Sequence, residues 1–157
     1  MEIKNRELHR VAVTAIIHKE GKYLVTKRSP HKKSFPNKWT VPGGGMEVED
    51  YINSPVSTKA GHWYYAIEKT LRREVKEEVN LEISKPKYLL DLAFVAPDGT
   101  PSIVLSYYAD YVSGEIKLDG DSTEYKWITA EEAKSIDLIE GIDEEIEMAD
   151  KIIKNKK

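Results

Sequence analysis

Apolar and polar residues follow two different periods along the chain, and together they predict interleaved strands and helices. The run from residue 11 to residue 17 is almost continuously apolar and largely β-branched, which is typical of a strand buried on both faces. Gly21 marks a turn, and residues 22–28 are predicted to form the partner strand of a hairpin. Residues 87–96 and 103–112 predict two further long strands, joined by a Pro-Asp-Gly turn at residues 97–99.

A helical period appears in two segments. In residues 64–79 the apolar side chains recur every four positions, at Ile67, Leu71, Val75 and Val79. The C-terminal segment repeats the pattern with Ile142, Ile146, Ala149 and Ile153. Thr129 and Glu132 stand at capping-box spacing, so a short helix is expected to begin there, after a short strand at residues 125–128. Residues 51–62 have no clear period and are predicted to form a loop.

The order of these elements indicates an α/β fold. Most connections between predicted strands are too short for parallel crossovers, so the sheet should be mixed, with the helices packed on it as layers. A chain of 157 residues is expected to form one domain.

Composition excludes several classes of function. The net charge of −3 argues against a protein that coats large nucleic acids, so any polyanionic ligand should be small. The chain has no cysteine, which rules out disulfides, thiolate catalysis and Cys-ligated metals. No segment is predicted to be a signal peptide or membrane span, and we expect a soluble cytoplasmic protein without a membrane partner.

Three glutamates on the first predicted helix suggest metal chemistry. Glu74, Glu77 and Glu78 lie at i, i+3 and i+4 and therefore fall on one side of the helix. Like charges at this spacing repel unless a cation lies between them, and hard ions such as Mg²⁺ prefer clustered carboxylates. The alternative is a solvated helix face, on which neighbouring Lys and Arg side chains neutralise the same glutamates.

The segment before that helix favours the metal hypothesis and adds a phosphorylated ligand. Gly43, Gly44 and Gly45 remove three successive Cβ atoms, which permits close approach of the backbone to a ligand or metal. Just before them lies a basic segment that can hold phosphates, with Lys27, Arg28, Lys32, Lys33 and Lys38.

These residues resemble the signature of the Nudix family, usually written G-x5-E-x7-R-E-U-x-E-E-x-G-U with U an aliphatic residue. The second half matches in order and spacing through Arg73, Glu74, Val75, Glu77, Glu78 and Leu81. Pro42-Gly43-Gly44 is similar to the usual opening of this signature. Trp39 and Glu124-x-x-Trp127 also resemble residues that are common in the family.

The chain departs from the signature at three places. Asp50 occupies the first glutamate position, with Glu47 and Glu49 as nearby substitutes. About fifteen extra residues, assigned to 51–65, precede Arg73. Asn80 replaces the glycine after the helix, where a left-handed residue is needed, and Asn is the best substitute.

The resemblance implies a Nudix-type α/β/α sandwich and a set of roles. Glu74, Glu77, Glu78 and the Gly43 carbonyl would bind Mg²⁺, with Mn²⁺ as the alternative ion, and Arg73 would orient a glutamate. Glu77 or Glu78 is expected to act as the general base, with Glu124 as a third candidate. We expect substrate contacts from Lys27, Arg28, Trp39 and Gly44. Trp39, Trp63 and Trp127 also suit core or rim positions, and Trp63 with Tyr64 and Tyr65 suits nucleobase contacts.

Three functional hypotheses follow. The leading one is Mg²⁺-dependent hydrolysis of a phosphoanhydride bond in a nucleoside triphosphate or other nucleoside diphosphate derivative. The second is a non-catalytic nucleotide-sensing module on a Nudix fold, and the third is a plain interaction domain. A homodimer is an expectation from the family alone.

Overall fold

The first hairpin builds the centre of a sheet. The computed structural model describes residue 3 and residues 5–156. Strand β1 spans Arg10–Lys19 and strand β2 spans Lys22–Arg28, as the apolar pattern predicts. The turn between them places Glu20 and Gly21 at positive φ angles, a conformation that glycine adopts without strain.

The remaining elements follow in an alternating order. They are β3 (Trp39–Thr40), β4 (Gly43–Gly45), α1 (Ala66–Val79), β5 (Glu82–Ile83), β6 (Lys87–Val95), β7 (Pro101–Ser113), β8 (Ser122–Ile128) and α2 (Ile142–Asn155). Two 3₁₀ turns, Val48–Asp50 and Glu132–Ser135, lie between them.

The sheet is mixed, as predicted, and it forks at β1. On one edge β1 runs parallel to β7, from Arg10 beside Ser102 to His18 beside Asp110. The other edge of β1 is divided between two antiparallel partners, β4 near its start and β2 near its end. Beyond β1, β2 pairs with β3 and β8, while β7 pairs with β5 and β6, which completes eight strands over the described residues.

One helix covers each face of the sheet. Leu71, Val75 and Val79 of α1 pack on one face against Val13 and Ile17 of β1. On the opposite face Ile142, Ile146 and Ala149 of α2 pack against a set that comprises Ile16, Tyr23, Val25 and Tyr108. The fold is therefore the α/β/α sandwich that the sequence predicts.

Local geometry refines several predicted boundaries. Helix α1 begins at Ala66 rather than at residue 64, because Tyr65 adopts a left-handed conformation that ends the preceding turn. Asn80 is left-handed at the other end of α1, as expected. The reciprocal capping bonds between Thr129 and Glu132 are both present, at 3.1 Å each. Strand β8 begins at Ser122, earlier than predicted, and the short strands β3, β4 and β5 were not predicted.

Residues 51–65 fold back on themselves through turns. The Trp63 indole N–H donates to the Ser54 carbonyl at 2.8 Å, and its ring lies 5.2 Å from that of Tyr51. The Ser57 N–H donates to the His62 carbonyl at 2.7 Å. The contacts of Trp63 are therefore made within this segment.

The length and apolarity of the helices show whether any of them could span a membrane. Over the part of the chain that the structure describes, no helix has the length and apolarity needed to cross a bilayer.

The packing of α2 yields a stability prediction. Ile146 is fully buried, whereas Met148 on the same helix is 43% exposed. We expect Ile146→Ala to lower the free energy of unfolding by about 2–5 kcal/mol, because it leaves a cavity in the core. Met148→Ala should change it by less than about 1 kcal/mol. Urea denaturation of both variants checks this, and equal losses would contradict the assigned helix orientation.

Candidate active site

The glycine strand β4 lies directly against the side of helix α1 that bears Glu74 and Glu78. A Cβ atom added to Gly44 would stand 2.5 Å from both carboxylate oxygens of Glu74. The Gly43 N–H donates a hydrogen bond of 3.2 Å to Oε2 of Glu78. The missing side chains of β4 therefore make room for two glutamates of α1.

Arg73 connects the helix to the segment before it. Its guanidinium bonds both carboxylate oxygens of Asp50 and donates to the Gly45 carbonyl at 3.0 Å. Through Nη1 it also donates to Glu74 at 2.8 Å and to Glu77 at 3.1 Å. Arg73 thus holds four partners in a fixed arrangement, and a planar guanidinium is suited to that task.

Among the three acidic residues near the first box position, Asp50 is the one that contacts Arg73. Its carboxylate is fully buried and also accepts hydrogen bonds from the Thr70 hydroxyl at 2.7 Å and the Glu47 N–H at 2.9 Å. The Arg73 guanidinium is the largest cause that lowers the pKa of Asp50, to about 2. Asp50 is therefore an ionised anchor for Arg73.

Glu74 and Glu78 form the acidic centre of the site. Burial is the main cause that raises the pKa of Glu78, to about 8, and the nearby Glu74 and Asp119 carboxyls raise it further. Burial also raises the pKa of Glu74, although Arg73 opposes this shift. Two carboxyls in this environment resist ionisation together unless a cation is added.

Glu77 lies apart from this pair. Its side chain is 57% exposed, and its carboxylate pairs with Arg73 on the outer side of the helix. Within the described ranges, no three His, Cys, Asp or Glu side chains are grouped closely enough to hold a metal ion. The structure thus brings together two of the three predicted carboxylate ligands.

A cleft of about 950 Å³ opens above Glu74 and Glu78. It is large enough for a nucleotide, since small-molecule pockets typically span about 300–1,000 Å³. Its basic wall comprises Arg10, Arg28, His31, Lys32 and Lys33. Carboxylates and cations therefore face one cleft.

The predicted substrate contacts divide into two groups. Arg28 and Gly44 line the cleft, whereas Lys27 and Trp39 are not among its lining residues. Gly43, which was predicted as a metal ligand, also lines it. Trp39 is buried in the α2-side core, and the Lys27 ammonium pairs with the Glu124 carboxylate at 3.5 Å.

The aromatic residues of the 51–65 segment and the third base candidate also lie outside the cleft. Trp63, Tyr64, Tyr65 and Glu124 do not line it. Trp127 packs beside the α1-side core. Nucleobase contact by the aromatic residues of this segment therefore has no support in the cleft geometry.

Some cleft residues were missed by sequence reasoning. Arg10 lies over β4, where a Cβ on Gly45 would stand 2.6 Å from its Nη2 atom. Phe35, Phe94 and Thr14 also line the cleft. Arg10 carried no motif signal, because only the pairing of β4 with β1 brings it beside the glycines.

A family model for the NUDIX domain matches residues 8–148. The chain belongs to the Nudix family. The Nudix assignment makes it a pyrophosphohydrolase of nucleotides, an activity compatible with a cleft that joins carboxylates to a basic wall. Nucleoside triphosphatase NudI of Klebsiella pneumoniae strain 342 is 30% identical over 139 residues, which cover 82% of this chain and 88% of the relative. NudI of Escherichia coli K12 is 27% identical over the same shares of the two chains.

Solved structures share the fold. The MutT protein from Methanosarcina mazei Go1 matches with a TM-score of 0.69 and 24% identity, over 95% of this chain and 96% of that one. The NUDIX domain of Shewanella oneidensis NrtR, complexed with ADP ribose, matches with a TM-score of 0.70 and 19% identity, over 94% and 90%. At these identities the likeness establishes the Nudix architecture.

The close approach of β4 to α1 yields a prediction about Gly44. Gly44→Ala should displace the Glu74 carboxylate and lower turnover at least tenfold, because a Cβ cannot occupy the space that this carboxylate fills. The fold should survive, since only the end of a side chain must move. Gly120→Ala is the control, because a Cβ there meets nothing within 4 Å. Turnover and thermal melting of both variants test this, and full activity in Gly44→Ala would contradict the packing described.

Asp50 yields a pH prediction. Its pKa falls from 3.8 to about 2 on folding, so the ionised form contributes about 2 kcal/mol above pH 4. This contribution is lost as the pH falls from about 4 to about 2. Asp50→Asn should therefore be less stable than the native chain at neutral pH, and the gap should narrow in acid. Urea denaturation between pH 7 and pH 3 measures it, and a constant gap would show that Asp50 carries no such linkage.

Proposed function

We propose that the chain hydrolyses a phosphoanhydride bond in a nucleoside triphosphate or other nucleoside diphosphate derivative, with Mg²⁺ as the cofactor and Mn²⁺ as an alternative. The proposal rests on one observation above all. Two partly buried glutamates, Glu74 and Glu78, line the same cleft as a set of basic residues, Arg10, Arg28, Lys32 and Lys33.

The donor set fits magnesium. Mg²⁺ is usually bound by one or two carboxylates together with waters and substrate phosphates, rather than by a complete cage of protein ligands. Glu74 and Glu78 would supply two oxygen ligands, and a divalent cation would offset the cost of burying their charge, which is the main cause that raises the pKa of both carboxyls. Glu77 becomes a third ligand if its carboxylate turns away from Arg73.

The basic residues of the cleft and the residues that hold the glutamates have different roles in this proposal. Arg28, Lys32 and Lys33 face the cleft and would neutralise phosphate oxygens as the phosphoanhydride enters. Arg73 holds the Glu74 carboxylate by a hydrogen bond of 2.8 Å, while the Gly43 N–H orients Glu78.

A bound metal ion would supply Lewis acidity to the phosphoryl group. Either Glu78 or Glu77 would accept a proton from the attacking water, and no covalent protein intermediate is required.

The test is a phosphate-release screen with Mg²⁺ over nucleoside triphosphates, nucleotide sugars, ADP-ribose and dinucleoside polyphosphates, with a phosphatase to reveal monoester products. We expect turnover of one group, and loss of most of it in Glu77→Gln and Glu78→Gln. Glu68→Gln is the matched control on the same helix, since Glu68 forms a surface pair with Arg72. Calorimetric titration of Mg²⁺ should show weaker binding in Glu78→Gln.

Each contrary result has a distinct meaning. Turnover that survives both Glu77→Gln and Glu78→Gln would refute the assigned site. Nucleotide binding without turnover of any compound would favour the sensing module. An absence of thermal stabilisation by every nucleotide with Mg²⁺ would favour an interaction domain, because a ligand that does not bind cannot shift the folding equilibrium.

A further inference from the structure

Two hydroxyl groups lie unsatisfied on the α2-facing side of the sheet. Thr14 of β1 and Ser106 of β7 are direct neighbours in the parallel register. Both hydroxyl oxygens are buried, and neither makes a hydrogen bond of good geometry. Buried polar groups are paired in the great majority of native structures, so two adjacent exceptions call for a ligand or an ordered water.

A buried carboxyl lies beside them. Glu145, in the first turn of α2, is 6% exposed. Its carboxyl lies near the Ser106 hydroxyl without a hydrogen bond of good geometry, and burial raises the pKa of Glu145. No step of the proposed hydrolysis uses this group. It adds a further hydrogen-bonding group to the same polar patch.

Strand register connects this patch to the cleft. The pair Ile16 and Tyr108 lies under α2 in the core, the pair Thr14 and Ser106 follows, and the pair Ala12 and Val104 comes next along the strands. Thr14, Ala12 and Val104 line the cleft, whereas Ser106 and Glu145 lie beneath its surface.

An exposed aromatic side chain completes this end of the cleft. Phe94 pairs with Ser102 on β7, which places it on the same face, and it is 48% exposed while lining the cleft. A planar ring stacked on Phe94 would rest over the small apolar residues Ala12 and Val104. Base–aromatic stacking of this kind contributes about 1–3 kcal/mol.

We propose that this end of the cleft is the nucleobase subsite, in which the base stacks on Phe94 and its polar edge is read by Thr14 backed by Glu145 and Ser106. The inference rests on the proposed function, because it assigns the phosphates to Arg28, Lys32 and Lys33, which lie at the end of β2 and in the segment after it. A nucleobase offers an apolar face that can stack on Phe94 and edge atoms that can hydrogen-bond with Thr14. The described residues at this end of the cleft supply no such partners themselves. A site built to pair with such an edge rejects ligands that leave its polar groups unpaired.

Calorimetry with non-hydrolysable α,β-methylene nucleoside triphosphates of the four bases tests this, with inorganic tripolyphosphate as the base-free probe. Phe94→Ala should weaken binding of the nucleotide analogues by about 5- to 100-fold and leave tripolyphosphate binding unchanged. Tyr88→Ala is the matched control, because Tyr88 is an exposed aromatic residue of the same strand that lies outside the cleft. Thr14→Val and Glu145→Gln preserve side-chain volume and should alter the ranking of the four bases.

The outcomes separate the subsite from the reaction. Equal weakening of tripolyphosphate and nucleotides in Phe94→Ala, or an unchanged base ranking in both polar variants, would overturn the subsite and leave the hydroxyls to ordered water. Failure of every analogue to bind would overturn it as well. Base-dependent binding without hydrolysis of any compound in the phosphate-release screen would instead refute the proposed function and retain the subsite.

Discussion

The contact between a strand without side chains and a helix rich in carboxylates is the constraint on which the site depends. Gly43 and Gly44 let β4 approach α1 closely enough for the Gly43 N–H to bond Glu78 and for Glu74 to occupy the space of a missing Cβ. With larger residues there, the two glutamates would have to turn toward solvent. Their burial, and hence the raised pKa of Glu78, follows from this approach.

Arg73 makes that arrangement compatible with a folded protein. A helix with several clustered glutamates would otherwise accumulate repulsion, and Arg73 reduces it by bonding Glu74 and Glu77 while Asp50 compensates its own charge. The same guanidinium bonds the Gly45 carbonyl, so β4 and α1 are joined by side chain and backbone together. Electrostatic balance and geometry are thus provided by one residue.

Periodicity predicted the elements that make long regular contacts. Strands β1, β2, β6 and β7 and the apolar faces of α1 and α2 came from local pattern, because burial on a fixed face imposes a fixed spacing. The motif also predicted that Glu74, Glu77, Glu78 and Gly43 converge, and of these Glu74, Glu78 and Gly43 line the cleft. What local pattern could not supply was the pairing of strands distant in sequence. That pairing brings Arg10 beside Gly45 and carries Trp39 into the core.

The bond between Asp50 and Arg73 also explains how the signature accommodates extra chain. Residues 51–72, which are 22 in number, separate these partners, where the usual signature has seven. Because the entropic cost of closing a loop grows only with the logarithm of its length, this extension costs about 1 kcal/mol. The two ends meet in the same salt bridge whatever lies between them. This position is therefore a permissive insertion point, and a search for the signature at fixed spacing would overlook proteins that have used it.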